Sequence, residues 1–514
     1  MNRLLSHLIV LLAVAVSGCA SLPPPAGRTE TTALTDTGET LLGRAVAPLI
    51  AANPGKTGVH PLFDPRDAFA ARVVFAGAAQ KSLDLQYYIW HGDTVGNLMF
   101  EALWRAADRG VRVRLLLDDH NTAGQDRTIA ALDGHPNIEV RLYNPLAHRG
   151  VRALDFVTDF TRVNRRMHNK SFTADNQVAV VGGRNIGNEY FGAGSGVVFA
   201  DLDVAVIGAV VAEVSREFDL YWNSPSAYPA ASFVGTAGAD AVRDLQAKFG
   251  ETRSSREAAA YLEAVARSPL VARLLERKVA FEWTGAKVYH DDPAKTLDAD
   301  ERKDDLLFPK LLEAMGRPQT RLDLVSPYFV PGDGGAALLV AAAGRGVEVR
   351  ILTNSLASSD EGAVHAGYAK RRADLLRAGV RLYELKPTAA MEARAKQDGL
   401  ESKGPAGLHA KTFAVDGKRI FVGSFNMDPR SLHLNTEMGV VLDSPVLARA
   451  LGDNFDKAIP DVAYEVRLDS DGRNLHWIER TAHGEVRHDT EPATTAWQRM
   501  GVEVLSILPI EWLL

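Results

Sequence analysis

At 514 residues the chain exceeds what one ordinary hydrophobic core accommodates, so two domains or a duplicated unit are expected. Hydrophobic residues make up 46% and charged residues 24%, which excludes a disordered chain and fits a globular one. A net charge of -6 gives no global basic field, which argues against a dedicated nucleic-acid binder, and a single cysteine excludes an intramolecular disulfide.

That cysteine, Cys19, sits in an informative place. Arg3 precedes an apolar run from Leu8 to Val16, then Ser17-Gly18-Cys19 and Leu22-Pro23-Pro24-Pro25. A charged start, a short apolar stretch and small residues before the break read as an export signal, too short for a comfortable transmembrane helix. Val16-Ser17-Gly18-Cys19 resembles a bacterial lipobox. Residues 1–19 are therefore expected to be a lipoprotein signal, with Cys19 lipidated and the body held beside a bacterial membrane, facing the periplasm. Whether that is the inner or the outer membrane stays open. Residues 20–55, rich in Thr, Pro and Gly, read as a tether.

A pattern then occurs twice. Ser82–Ile89 reads as a buried strand, followed by a helix through Leu98, Leu103 and Ala107 and by strands at Gly110–Leu117 and Ile138–Tyr143. Arg321–Phe329, Gly346–Leu352 and Gly379–Tyr383 repeat the three strands about 240 residues later, a domain-scale duplication rather than a solenoid period. Strands alternating with helices imply an α/β layer structure in each copy. The stretch 225–305 between the copies is expected to be mostly helical, and 386–407 reads as a polar insertion. In the tail, Asp469-Ser470-Asp471-Gly472 and His483-Gly484 signal hairpins, and the apolar end from Val502 to Leu514 suits docking on the core or contact with the bilayer, of which core docking is expected.

After its third strand the first copy carries His168-Asn169-Lys170, Asp175, Gly182-Gly183 and Asn185. The second carries His409-Ala410-Lys411, Asp416, Gly423-Ser424 and Asn426 at identical internal spacings. His and Lys two residues apart share one face of an extended strand. Tight turns at Asp175-Asn176 and Asp416-Gly417 predict hairpins that set Gly183 opposite His168 and Ser424 opposite His409, each asparagine two residues further on. The aspartates, at the turns, are assigned a structural role.

This trio suits phosphate. An ammonium and a carboxamide donate to non-bridging oxygens, as Lys170, Lys411, Asn185 and Asn426 would. A histidine attacks phosphorus or shuttles a proton near neutral pH. Two facing patches supply one histidine to attack and one to protonate the leaving oxygen, so neither metal nor cofactor is expected. Glu189 and Glu437, downstream of each asparagine, are candidates to orient the rings. Arg162, Arg165 and Arg166, ahead of His168, either contact lipid phosphate or form a solvated run; Lys370-Arg371-Arg372 reads as a solvated helix face.

His168-x-Lys170-x4-Asp175 and His409-x-Lys411-x4-Asp416 resemble the paired signature of the phospholipase D superfamily. Gly423–Ser431, Asn435-Thr436-Glu437, Gln86–Trp90 and Thr158–His168 resemble its bacterial cardiolipin synthase branch, C-type. The resemblance implies two duplicated α/β/α sandwich domains, 56–224 and 306–460, packed around one shared active site, with 461–514 as a C-terminal extension. It further implies phosphatidyl transfer that makes cardiolipin from phosphatidylglycerol and a second phospholipid through a phosphatidyl-histidine, with His168 as nucleophile. Phospholipid hydrolysis to phosphatidic acid and, less favoured, nucleic-acid cleavage are the alternatives. Phospholipids and a membrane surface are the expected partners, without nucleic acid.

Overall fold

The computed structural model describes residues 22, 27–194, 197–276, 278–297, 306–359, 361–387 and 406–514. Cys19 and the signal segment 1–19 lie outside the described residues.

The first lobe contains β1 (Thr57–Leu62), β2 (Ser82–Tyr87), β3 (Arg112–Asp118), β4 (Ile138–Tyr143), β5 (Ser171–Ala174), β6 (Val178–Gly182), β7 (Val198–Ala200), β8 (Asp203–Gly208), β9 (Ala227–Pro229) and β10 (Glu282–Thr284). All but β7 form one sheet in the order β10-β1-β8-β6-β5-β2-β3-β4-β9. The second lobe contains β11 (Ala286–His290), β12 (Arg321–Val325), β13 (Glu348–Asn354), β14 (Arg381–Leu385), β15 (Ala406–Leu408), β16 (Thr412–Val415), β17 (Arg419–Gly423), β18 (Met438–Leu442), β19 (Ala463–Leu468), β20 (Leu475–Thr481) and β21 (Gly484–His488). Its sheet runs β11-β18-β17-β16-β12-β13-β14-β19-β20-β21.

One topology therefore occurs twice, as β8-β6-β5-β2-β3-β4 and as β18-β17-β16-β12-β13-β14. In each copy the three strands joined by helices are parallel and the hairpin strands antiparallel. β2 and β3 bury nearly every side chain, as strands with cover on both faces do. The duplication reaches single side chains. Arg114 binds Asp84 at 2.6 Å and lies over the Phe218 ring; Arg350 binds Asp323 at 2.6 Å and lies over Phe455.

The lobes meet sheet to sheet. Ala179, Val181, Val204 and Val206 of the first join Ile420, Val422, Met438 and Val440 of the second in one apolar cluster. The chain crosses between the sheets at Gly285, with β10 on one and β11 on the other. This shared core fixes the two histidine motifs relative to each other.

Three segments differ from their sequence reading. Residues 28–37 of the expected tether are strapped onto the first lobe: Thr29 and Thr31 carbonyls accept from the buried Arg141 and Arg114, and Ala33 N–H donates to Asp219. A helix, Leu41–Ala51, follows. Main-chain acceptors, not an apolar run, bind this segment, so composition alone gave no sign of it. The stretch 225–284 is helical over much of its length, as expected, but it is part of the first lobe rather than a separate segment, since Phe249, Tyr261 and Leu270 belong to that lobe's core and β9 and β10 are its edge strands. Residues 463–488 form the expected hairpins, β19-β20-β21, and add them to the second sheet, while the following helix docks Val502 and Leu505 on Leu356 and Ala366 and leaves its other apolar face exposed.

Candidate active site

Both histidine motifs lie just ahead of a hairpin strand, and both hairpins differ from the tight turn expected. Asp175 and Asn176 both have positive φ, as do Asp416 and Gly417, and Gln177 and Lys418 complete three-residue loops. The extra residue shifts the register by one, so Ser171 faces Val181 and Thr412 faces Val422. Gly183 and Ser424 therefore do not stand across the strand pair from His168 and His409. The two aspartates are structural, as expected. Asp175 accepts from the N–H groups of Gln80, Lys81 and Ser82, and Asp416 from those of Gln319, Thr320 and Arg321, tying each loop to the start of β2 or β12.

The motifs are held by exchange between lobes. His168 N–H donates to the Thr436 carbonyl and Thr436 N–H to that of Arg166. β15, which leads into His409, pairs in parallel with β7 of the first lobe, and His409 N–H donates to Ala200. The side chains repeat this exchange. His168 Nδ1 lies 2.9 Å from Glu437 in the second lobe, and His409 Nδ1 lies 2.6 Å from Asp201 in the first. With Nδ1–H given to a carboxylate, each ring has Nε2 left for chemistry.

Asp201 is the residue that sequence reasoning missed. Glu189 pairs with His91 at 3.0 Å and does not orient His409. The signal lay in strand register, because Gly182 faces Asp203 and Gly423 faces Gly439, which makes Asp201 the counterpart of Glu437. A longer connection in the first half, carrying the helix Asn188–Phe191 and β7, separates Asn185 from its acid and hides the match. The same geometry explains Gly183. A Cβ there would stand 2.3 Å from the Asp201 carboxylate, whereas Ser424 in the second half donates its hydroxyl to Glu437.

Lys170 and Lys411 each donate from Nζ to the carbonyl of their own motif's histidine at 2.6 Å. Asn185 accepts from Ile89 N–H, while its Nδ2 is buried with no partner among the described residues; Asn426 Oδ1 is likewise unpartnered. Such buried amide groups fit a bound oxyanion, the Asn426 amide after a half-turn. Tyr88 meets the His168 ring edge-on at 5.0 Å, and Tyr190 does so for His409.

Burial and like charge depress the cationic groups of the cleft together. Burial, then Lys170 and Lys411, hold His168 well below its ordinary value. Burial and then Lys411 bring His409 down to about 4 against the pull of Asp201, and Lys170 adds to the effect. Lys170 is itself depressed, chiefly by burial. Each motif's lysine thus acts on both histidines, which makes one site of the two motifs. A phosphodiester anion among these groups relieves all of them at once. The two acids differ. Burial pushes Glu437 up to about 7, whereas Asp201, despite its burial, is held below the usual carboxylate range by His409 and Lys411.

Beneath His168 lies a second network. Asn169, fully buried, donates to Glu217 at 2.7 Å, and Gln86 donates to the other Glu217 oxygen. Burial pushes Glu217 up to about 8. In the second lobe the places corresponding to Asn169 and Gln86 hold Ala410 and Val325, which pack in an apolar cluster.

The arginine runs are occupied by the protein itself. Arg166 binds Asp118 and the carbonyls of Tyr143 and Asn144; Arg165 binds the Lys295 carbonyl; Arg162 binds Asp159 and Asn144. They brace the approach to His168. Arg372, expected on a solvated face, is buried between Glu384 and Glu491.

A family model described as cardiolipin synthase, phospholipase D-like domain, matches residues 75–222 and 311–459, one match for each lobe. Cardiolipin synthase C of Escherichia coli K12 is 47% identical over 476 residues, covering 92% of this chain and 99% of that protein. An uncharacterised protein of Helicobacter pylori 26695 is 30% identical over 91% of this chain and 92% of its own length. Among solved structures, phosphatidylserine synthase of Haemophilus influenzae has the same fold at 14% identity, with a TM-score of 0.51 over 84% of this chain and 92% of that one. The chain is a duplicated member of the phospholipase D-like cardiolipin synthase family.

Proposed function

We propose that the chain is a phosphatidyltransferase that makes cardiolipin, working without a metal ion through a covalent phosphatidyl-histidine. The single observation that carries this reading is the crossed pairing of His168 with Glu437 and of His409 with Asp201 around two buried lysines. The two acids support one division of roles. Asp201, held ionised, pulls His409 toward imidazolium against the burial and the lysines that hold the ring at about 4, and a bound phosphodiester anion adds to that pull, which suits proton transfer; Glu437, pushed up to about 7, pulls less on His168, which suits attack.

In the first half-reaction His168 Nε2 attacks phosphorus of a donor phospholipid. The bond from phosphorus to the head-group oxygen breaks, and His409 Nε2–H gives that oxygen its proton. In the second, His409 takes the proton from a hydroxyl of phosphatidylglycerol, the alkoxide attacks phosphorus, and the phosphorus–nitrogen bond breaks. Lys170, Lys411 and the two asparagine amides hold the non-bridging oxygens as charge grows on them. If phosphatidylglycerol is also the donor, glycerol leaves.

The leader supports a lipid anchor on Cys19, which would keep the body beside a membrane on the periplasmic side. The test supplies phosphatidylglycerol vesicles, alone and with phosphatidylethanolamine, and follows products by mass spectrometry. Cardiolipin is the expected product. Phosphatidic acid without cardiolipin would make the chain a hydrolase.

A further inference from the structure

The C-terminal helix Ala496–Ile507 turns an apolar stripe outward. Trp497, Met500, Val504 and Ile507 follow the spacing of a single helix face and are 77%, 46%, 57% and 83% exposed. Leu508 and Trp512 prolong the stripe. The other side of the helix holds it in place, with Val502 buried and Leu505 packed against the cluster of Leu356 and Ala366. Apolar residues scattered singly over a surface need no explanation; a continuous stripe does.

Beyond the stripe the chain end is bonded to Arg430, which ties it to the first lobe. Arg430 donates from its main chain to the Leu514 carbonyl at 2.6 Å and from Nε to that of Leu513. The same guanidinium holds Asn164 Oδ1 at 2.6 Å in the first lobe and lies within electrostatic reach of His168. Asn164 closes the short helix Phe160–Val163. Just ahead of it stands a second exposed apolar set, Val151, Leu154, Val157 and Phe160.

We infer that the C-terminal helix and the 151–160 segment form one docking face for a phospholipid bilayer, which presents the cleft to the head groups. This rests on the reading of the cleft as a site for phospholipid. Three observations favour a bilayer. Among the described residues no helix is long and apolar enough to cross a membrane, so access to lipid falls to surface elements. The stripe is bracketed by Trp497 and Trp512, whose rings suit the head-group boundary. Its far end is fastened, through Arg430, to Asn164, four residues ahead of His168. A helix lying flat along the interface needs no partner groove.

The test uses the full chain and compares Trp497→Glu/Ile507→Glu and Val157→Glu with the parent, after thermal melts show them folded. Rates are measured on phosphatidylglycerol vesicles and on short-chain phosphatidylglycerol below its micelle concentration. The vesicle rate is expected to fall about tenfold or more while the monomer rate stays within about twofold. Quenching of tryptophan emission by vesicle lipid brominated on its acyl chains is expected to drop in Trp497→Phe/Trp512→Phe. Unchanged vesicle rates and quenching would overturn the inference, as would equal losses on both substrates, which would mean that the tail acts on the cleft. A parent dimer in solution that the double glutamate variant breaks, with its vesicle rate intact, would assign the stripe to a second copy. A chain that transfers no phosphatidyl group in either assay but shows the quenching pattern would defeat the functional reading and leave the docking face standing.

Discussion

His409 Nδ1 is hydrogen-bonded to the Asp201 carboxylate, 2.6 Å away, and the two residues belong to different halves of the duplicated fold. His168 and Glu437 repeat the exchange in the opposite sense. Neither half alone holds a histidine in its working orientation, so the duplication is a requirement of the chemistry as well as of the fold.

Asp201→Asn should therefore damage the reaction far more than Glu189→Gln. An asparagine presents the wrong charge, and in part the wrong hydrogen, to the His409 ring; where a carboxylate holds a catalytic histidine, this change costs about 10^4-fold in kcat. Glu189→Gln, which removes an ion pair with His91 rather than a bond to His409, is expected to stay within about threefold. Steady-state transfer rates on one substrate check the pair. Equal losses would return Glu189 to the role assigned it from sequence.

Glu217 makes a prediction about pH. Its folded-state value of about 8 stands above its ordinary 4.5, so the folded protein binds a proton that the unfolded chain releases. The stabilisation is fully present below about pH 4.5 and is lost as pH rises toward 8. Glu217→Gln keeps a neutral group of the same shape, so its stability relative to the parent should rise between pH 5 and pH 8 in urea melts. Glu217→Ala leaves the Asn169 amide without a partner and is expected to cost about 1–3 kcal/mol. A parent and Glu217→Gln with parallel pH profiles would contradict a protonated Glu217.

The duplication, the two histidine motifs and the turn aspartates were legible in the sequence because they depend on local spacing repeated within one chain. Asp201 was not. Its partnership with His409 is set by strand register across the lobes, and a longer loop in its half breaks the numerical match with Glu437. The strap of residues 28–37 was hidden for a related reason, since its bonds are main-chain groups meeting Arg114 and Arg141. The arginines ahead of His168 read as a charge run, yet each finds carbonyls or carboxylates supplied by distant parts of the chain.

Transfer is expected to survive chelation. Charge on the phosphoryl oxygens is met by Lys170 and Lys411, and the leaving oxygen takes its proton from His409, so no step waits for a divalent ion. Assays with and without excess EDTA should give the same rate, and recovery only on adding a divalent metal would contradict this chemistry.

Cys19 should take up labelled fatty acid in cells, and Cys19→Ser should abolish that label. Fractionation of the labelled protein would then assign the inner or the outer membrane. Label retained in Cys19→Ser would rule out lipidation at this residue.

The most direct test traps the first half-reaction. His409→Ala cannot act as base for the acceptor, so with a donor whose leaving group needs no protonation, such as a 4-nitrophenyl phosphodiester, phosphoryl adduct should accumulate on His168. Mass spectrometry of the digested protein is predicted to find the adduct on the peptide that contains His168, and to find none when His168 is replaced as well. An adduct on His409 in the His168→Ala chain, with none on His168, would reverse the assigned roles. No adduct on either ring, with substrate still consumed, would contradict covalent catalysis.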